Sequence, residues 1–128
     1  MGIVVVRLGT PRGADEGLRV GTVRRPPRGV PKEKFASLDF YDVWFPMLSP
    51  SQPLVTLALQ SKDAATWKRF ERGFRAEMKE PDAARALDLL AALSHQTNLA
   101  IGCYCEHEDR CHRSVLRALL EERGAECR

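Results

Sequence analysis

The chain has 128 residues, 44% of them hydrophobic and 29% charged, with a formal net charge of +3. That length fits one domain spanning residues 1–128 with a core of its own, and the apolar content argues against a disordered chain. No apolar run approaches the roughly 20 residues that a helix needs to cross a bilayer, so no membrane partner is expected.

The chain opens on Met1-Gly2-Ile3-Val4-Val5-Val6, which Arg7 ends early. No charged segment precedes it and no small-residue cleavage site follows, so residues 3–8 read as a buried first strand and not as an export signal. Four cysteines without such a signal fit reduced thiols in the cytosol. Residues 9–17 are loop, punctuated by Pro11 and Gly13. Residues 18–23 alternate weakly, as a short second strand would. Pro26, Pro27 and Pro31 exclude regular structure from 24–31. Residues 35–45 are rich in aromatics and read as packed irregular chain or a strand. Ser49 followed by Pro50 reads as a cap and first position of a short helix.

Two helices follow. Asp63 is a natural N-cap, and Trp67, Phe70, Phe74 and Met78 recur on one helical face, a stripe that reads as core. Pro81 ends this helix and starts the next, in which Ala84, Leu87, Ala91 and Ser94 share a side with Leu90 beside them. Residues 97–104 form the last strand. Residues 110–123 form the last helix, with Gly124 at its C′ position. Strand and helix alternate at the end and a β-branched strand opens the chain. The fold class is therefore α/β, with a mainly parallel central sheet flanked by helices. Ligands in such sheets sit beyond the carboxyl ends of the strands.

The segment 103–113 occupies that kind of position. It holds three of the four cysteines, Cys103, Cys105 and Cys111, and the histidines His107 and His112. Asp109 reads as the N-cap of the last helix, which places Cys111 and His112 in the first turn. A thiol there feels the positive end of the helix, and Arg110 and Arg113 push its pKa down while Glu106, Glu108 and Asp109 push against them. The alternative is a buried, inert cysteine. His112 lies on or beside the apolar stripe of that helix and takes either a structural hydrogen bond or a catalytic role. Arg113 suits the gripping of an anion.

Cys103, Cys105, His107, Cys111 and His112 also offer enough soft ligands for tetrahedral zinc, with Cys103, Cys105, Cys111 and His112 as the candidate set. Against zinc stands the spacing, which is not that of a finger, and strand alternation, which would send Cys103 and Cys105 to opposite faces unless a loop conformation around Cys105 repairs it. A disulfide between those two is doubtful for the same reason; one from Cys111 or Cys127 stays open. A phosphatase-like loop is disfavoured, because Arg110 is one residue too close to Cys105, Arg113 is too far, and three acids lie between.

Cys103-Tyr104-Cys105-Glu106 followed by Cys111-His112-Arg113 resembles the C-terminal signature of the DUF488 family of small bacterial and archaeal proteins. Arg7, the Arg24/Arg28-Gly29 element, the Leu48-Ser49-Pro50-Ser51 turn and the Trp67/Phe70 helix are similar to the family's pattern as well. The chain departs from it at Val23-Arg24-Arg25-Pro26-Pro27-Arg28-Gly29, where relatives often read Asp-Arg-Leu-Trp-Pro-Arg-Gly. The resemblance implies a compact α/β domain and no particular reaction.

The reading that follows is a domain that binds a small polar or anionic ligand at a strand-to-helix site. Arg7, Arg24 and Arg28 would close the site from the N-terminal side and Arg113 would bind the ligand. In an enzyme, Cys105 or Cys111 would be the nucleophile and His112 or Glu106 the base. The alternative is a metal-binding or thiol-redox module. A nucleic-acid accessory role for the N-terminal arginines ranks last, because no aromatics interleave with them and the net charge is small.

Overall fold

A computed structural model of the chain describes residues 1–60, 62–105 and 111–128. Four strands, β1 (Gly2–Arg7), β2 (Leu18–Gly21), β3 (Val43–Trp44) and β4 (Asn98–Cys103), form one sheet in the order β1-β4-β2-β3. Every pairing is parallel. The last strand in sequence therefore lies in the middle, with Arg7 of β1 opposite Cys103 and Gly21 of β2 opposite Gly102. A strand so enclosed must be apolar on both faces, and β4 is buried from Leu99 to Cys103.

Four helices follow: α1 (Gln52–Leu59), α2 (Ala64–Glu77), α3 (Pro81–Leu93) and α4 (His112–Glu122). Their apolar stripes meet one face of the sheet. Phe70, Phe74, Leu87, Leu90, Leu116 and Leu120 pack in one core with Ile3, Val20, Leu99 and Ile101. The stripe on α2 is thus core, with Trp67 half-buried and stacked on Phe70 at 4.8 Å. On α3 the buried face runs through Ala83, Leu87, Leu90 and Ala91, while Ala84 is only half-buried.

The opposite face carries Arg19, next to Val20 on β2 and completely buried. Loops cover it. Its guanidinium donates to Glu16 Oε1 at 2.6 Å, to the Thr10 carbonyl at 2.9 Å and to the Asp39 carbonyl. Asp42 accepts from the Arg19 amide at 2.8 Å and from Arg12 at 2.7 Å. Arg19 thus belongs to the core, although its sequence context is that of an arginine-rich loop.

Helix ends follow local chemistry, with two corrections. Asp63 caps α2 by accepting from the Thr66 amide at 2.8 Å, as expected. Ser49 does not cap α1. Its hydroxyl donates to the Pro46 carbonyl at 2.6 Å and closes a 3-10 turn at Pro46–Leu48, so α1 starts two residues later, with Ser51 as N-cap and Pro53 in the first turn. At α4, Cys111 occupies the N-cap position instead of the first turn, and the helix begins at His112. Asp109, expected as that cap, lies outside the described residues. The C-terminal tail runs along β1, with Ile3 N donating to Glu126 O and Arg128 N to Ile3 O, and covers the sheet's outer edge.

No helix among the described residues is long and apolar enough to cross a membrane.

Candidate functional site

β4 ends at Cys103, and the chain bends at Tyr104 before reaching Cys105. The alternation that would separate Cys103 from Cys105 therefore stops one residue too soon to act. Cys105 instead lines the same cleft as Cys103 and Cys111 and shares its charge with their thiols. Cys103 Sγ and Cys111 Sγ are 2.6 Å apart. Three free thiols thus meet at the carboxyl end of the central strand. Two are buried and Cys105 is exposed.

Cys127, the fourth, sits beside Ile3 at the other end of β1. Four strand residues separate Ile3 from Arg7, about 13 Å, so Cys127 has no part in the cluster.

α4 delivers His112, which packs edge-on against Phe74 with ring centroids 5.6 Å apart. His112 Nε2 lies 2.6 Å from the Thr22 carbonyl and 3.3 Å from its hydroxyl, while Nδ1 lies 3.7 Å from Cys111 Sγ. The Thr22 hydroxyl donates to the Gly102 carbonyl at 3.0 Å. A carbonyl only accepts, so Nε2 carries the proton and Nδ1 presents its lone pair to the thiols. Burial lowers the His112 pKa, which keeps the ring neutral.

Arg113 is buried one position further on and donates to the Cys105 carbonyl at 2.8 Å. It fastens the backbone of the exposed cysteine, and its Nε has no hydrogen-bond partner among the described residues. The charge in the cluster settles on Cys105. Hydrogen bonds from Cys103 and Cys111 pull its pKa far below that of an ordinary thiol; burial opposes this, and the charge of Arg113 adds to it. Cys103 moves the opposite way, raised by its bonds to Cys105 and Cys111 and by burial. The Cys103 bond lowers Cys111, but the bond to Cys105 and burial outweigh it, so Cys111 is raised to about 11.

The cluster opens into a cleft of about 360 Å³. Val23, Val55, Leu59 and Phe70 give it apolar walls, and Arg24 and Arg25 bring positive charge. Of the arginines expected to close the site, Arg24 lines this cleft. Arg7 stands beside it, in register with Cys103, and Arg28 is exposed outside its lining. Glu106 and His107 lie outside the described residues.

Sequence reasoning missed Thr22 and Arg25, and it assigned Tyr104 no role. Tyr104 lines the cleft and donates to the Arg25 carbonyl at 2.9 Å. Ser49 and Pro50, read as the start of a helix and as part of a turn, line the cleft as well. Cys103, Cys111 and His112 place their ligand atoms within 4.8 Å of one another and are the described residues able to hold a metal together.

The family model described as "DUF488-N3a: Active DUF488-N3 subclade" matches residues 3–124. The chain belongs to the DUF488 family. The match spans the sheet, the helices and the whole thiol cluster of this DUF488 protein, including the segment where it departs from the Asp-Arg-Leu-Trp-Pro-Arg-Gly pattern. No curated protein and no solved structure matches the chain.

Proposed function

We propose that the protein runs thiol-dependent chemistry on a small molecule held in the cleft, with Cys105 as the nucleophile. One observation carries this reading: of three thiols that line one cleft, Cys105 is the exposed one and the other two are buried. A thiolate stabilised by fixed donors is the reactive form of cysteine. The apolar walls suit a ligand with an apolar body, and Arg24 and Arg25 suit a polar or anionic end. His112 Nδ1 is a proton acceptor beside Cys111, and Arg113 is a positioning residue that acts through the Cys105 carbonyl. The family description names an active subclade, which favours chemistry over a purely structural use of the cysteines.

Iodoacetamide labelling of the full chain at neutral pH, followed by peptide mapping, tests the assignment. Cys105 should react first, well ahead of the half-buried Cys127, and Cys103 and Cys111 should be shielded. Labelling of Cys105 no faster than Cys127 would remove it as the nucleophile.

The convergence of Cys103, Cys111 and His112 supports a second reading, a zinc site that Cys105 would complete. A Cys3His set is a standard one, and the Nε2 bond to Thr22 orients Nδ1 as a ligand. Sulfurs on one zinc ion stand about 3.8 Å apart, from Zn–S bonds near 2.3 Å. Cys103 and Cys111, 2.6 Å apart, would have to separate by about 1 Å to share a zinc ion. Elemental analysis of protein purified without chelator separates the two: stoichiometric zinc with Cys105 shielded from alkylation would replace the first reading with the second.

A further inference from the structure

An exposed cysteine oxidised on its own climbs from sulfenic to sulfinic acid, a step that is hard to reverse. Cys105 is not on its own. It shares one cleft with Cys103 and Cys111, whose sulfurs touch each other. Cys103 is fixed as the last residue of the central strand and Cys111 as the N-cap of α4. Both line the cleft that Cys105 lines, so a small movement of the exposed residue brings its sulfur to either. Both are buried, so an oxidant in solution meets Cys105 first.

We propose, resting on the reading of Cys105 as the open nucleophile, that the three cysteines form a self-resolving centre for the reduction of hydroperoxides. The Cys105 thiolate attacks the hydroperoxide. An S–O bond forms, the O–O bond breaks, and the alcohol (or water, from hydrogen peroxide) leaves with one proton. A buried thiol then attacks the Cys105 sulfenic acid. An S–S bond forms, the S–O bond breaks, and water carries away the hydroxyl and the thiol proton. In sum, two thiols and one hydroperoxide give one disulfide, one alcohol and one water.

The remaining buried thiol lies against the buried partner of that disulfide. Its attack moves the bond to Cys103–Cys111 and releases Cys105 as a thiolate. The product is a buried disulfide beneath a regenerated Cys105. A dithiol reductant restores the starting state by exchange.

The test treats the full chain with stoichiometric hydrogen peroxide and maps its peptides. The expected product loses the mass of two hydrogens, falls from four free thiols to two, and carries its disulfide between Cys103 and Cys111. Cys127 stays free, and dithiothreitol reverses the change. Cys105→Ser should slow disulfide formation sharply, because the point of entry is lost. In C103S/C111S, dimedone should trap a sulfenic acid at Cys105 that it does not trap in the natural chain. Should that double variant fail to fold, the natural chain and Cys105→Ser decide the matter.

Oxygen added at Cys105 with no disulfide would overturn the proposal. So would a Cys103–Cys111 disulfide that forms in Cys105→Ser at the natural rate. Rapid alkylation of Cys105 without peroxide-driven disulfide would sink this inference alone, whereas a Cys105 inert to both reagents would sink the nucleophile reading with it.

Discussion

His112 Nε2 and the Thr22 carbonyl oxygen, from opposite ends of the sequence, are joined by a 2.6 Å hydrogen bond. The bond ties α4 to the segment that leaves β2, and it fixes which ring nitrogen faces the thiols. At neutral pH the nitrogen shifts of this ring in an NMR spectrum should report a neutral imidazole protonated at Nε2. A proton on Nδ1 would contradict the assignment. His112→Phe keeps the ring's bulk but strands the Thr22 carbonyl, and should cost about 2 kcal/mol, read from the midpoint of denaturant unfolding.

Cys103 and Cys111 act on Cys105 as donors to its sulfur. A hydrogen bond to a charged group contributes about 1.5 kcal/mol or more, close to one pKa unit. Cys103→Ala or Cys111→Ala should therefore slow the alkylation of Cys105, by about tenfold at a pH below both thiol pKa values and by less as pH rises through them. Cys127→Ala should leave that rate unchanged. An unaltered rate in both donor variants would show that the thiolate is stabilised from elsewhere.

Much of the fold is legible in the sequence because it rests on periodicity. The Trp67-to-Met78 stripe, the Asp63 cap and the Gly124 stop are local signals, and local physics decides them. The thiol cluster is legible for a related reason: most of its groups fall within eleven residues. What was not legible depends on where strands stop and which segments become neighbours. Apolar patterning does not mark the end of β4, so Cys103 and Cys105 look opposed when the bend at Tyr104 brings them together. Thr22, Arg25, Ser49 and Pro50 reach the site because β2 pairs with β4 and because the chain enters α1 beside the cleft, neither of which leaves a mark on those residues. Arg19 misled most. In sequence it is one arginine among many, and only its enclosure by Glu16, Thr10 and Asp39 makes it a core residue.

That enclosure has consequences for stability. Glu16 is almost fully buried against Arg19, with Nε and Oε1 2.6 Å apart. Burial pushes the Glu16 carboxyl up, but hydrogen bonds from Arg19 and from the Gly13 amide, with the attraction of Arg19, bring it below the ordinary glutamate value. The ionised form is thus favoured by folding. Its contribution is present above the unfolded carboxyl pKa and is lost as pH falls through the lower folded one. Asp42 responds in the same direction: burial opposes, while Arg12 and the Arg19 amide outweigh it. Glu16→Gln leaves a buried guanidinium without its counter-charge and should cost about 3 kcal/mol near neutral pH, with a smaller loss in acid. An equal loss at every pH would show that the carboxylate charge contributes nothing.

Gly17 and Gly124 offer a controlled comparison of backbone strain with and without a neighbour. Both have positive φ, +85° and +83°. A side chain in that conformation costs about 1–2 kcal/mol on its own account. Nothing lies within 4 Å of where a Cβ on Gly124 would sit, past the end of α4. A Cβ on Gly17 would instead overlap the backbone carbonyl of Asn98, the first residue of β4. That carbonyl cannot retreat freely, because β4 is held in register by β1 on one side and by β2, which starts at Leu18, on the other. Gly124→Ala should lower stability by about 1 kcal/mol. Gly17→Ala should cost at least twice as much and, by loosening the start of β2, raise hydrogen exchange at the amides of Val20 and Ile101. Equal losses in the two variants, measured by denaturant unfolding, would mean that the β2–β4 seam yields at Asn98 and that the close approach there does not hold the register.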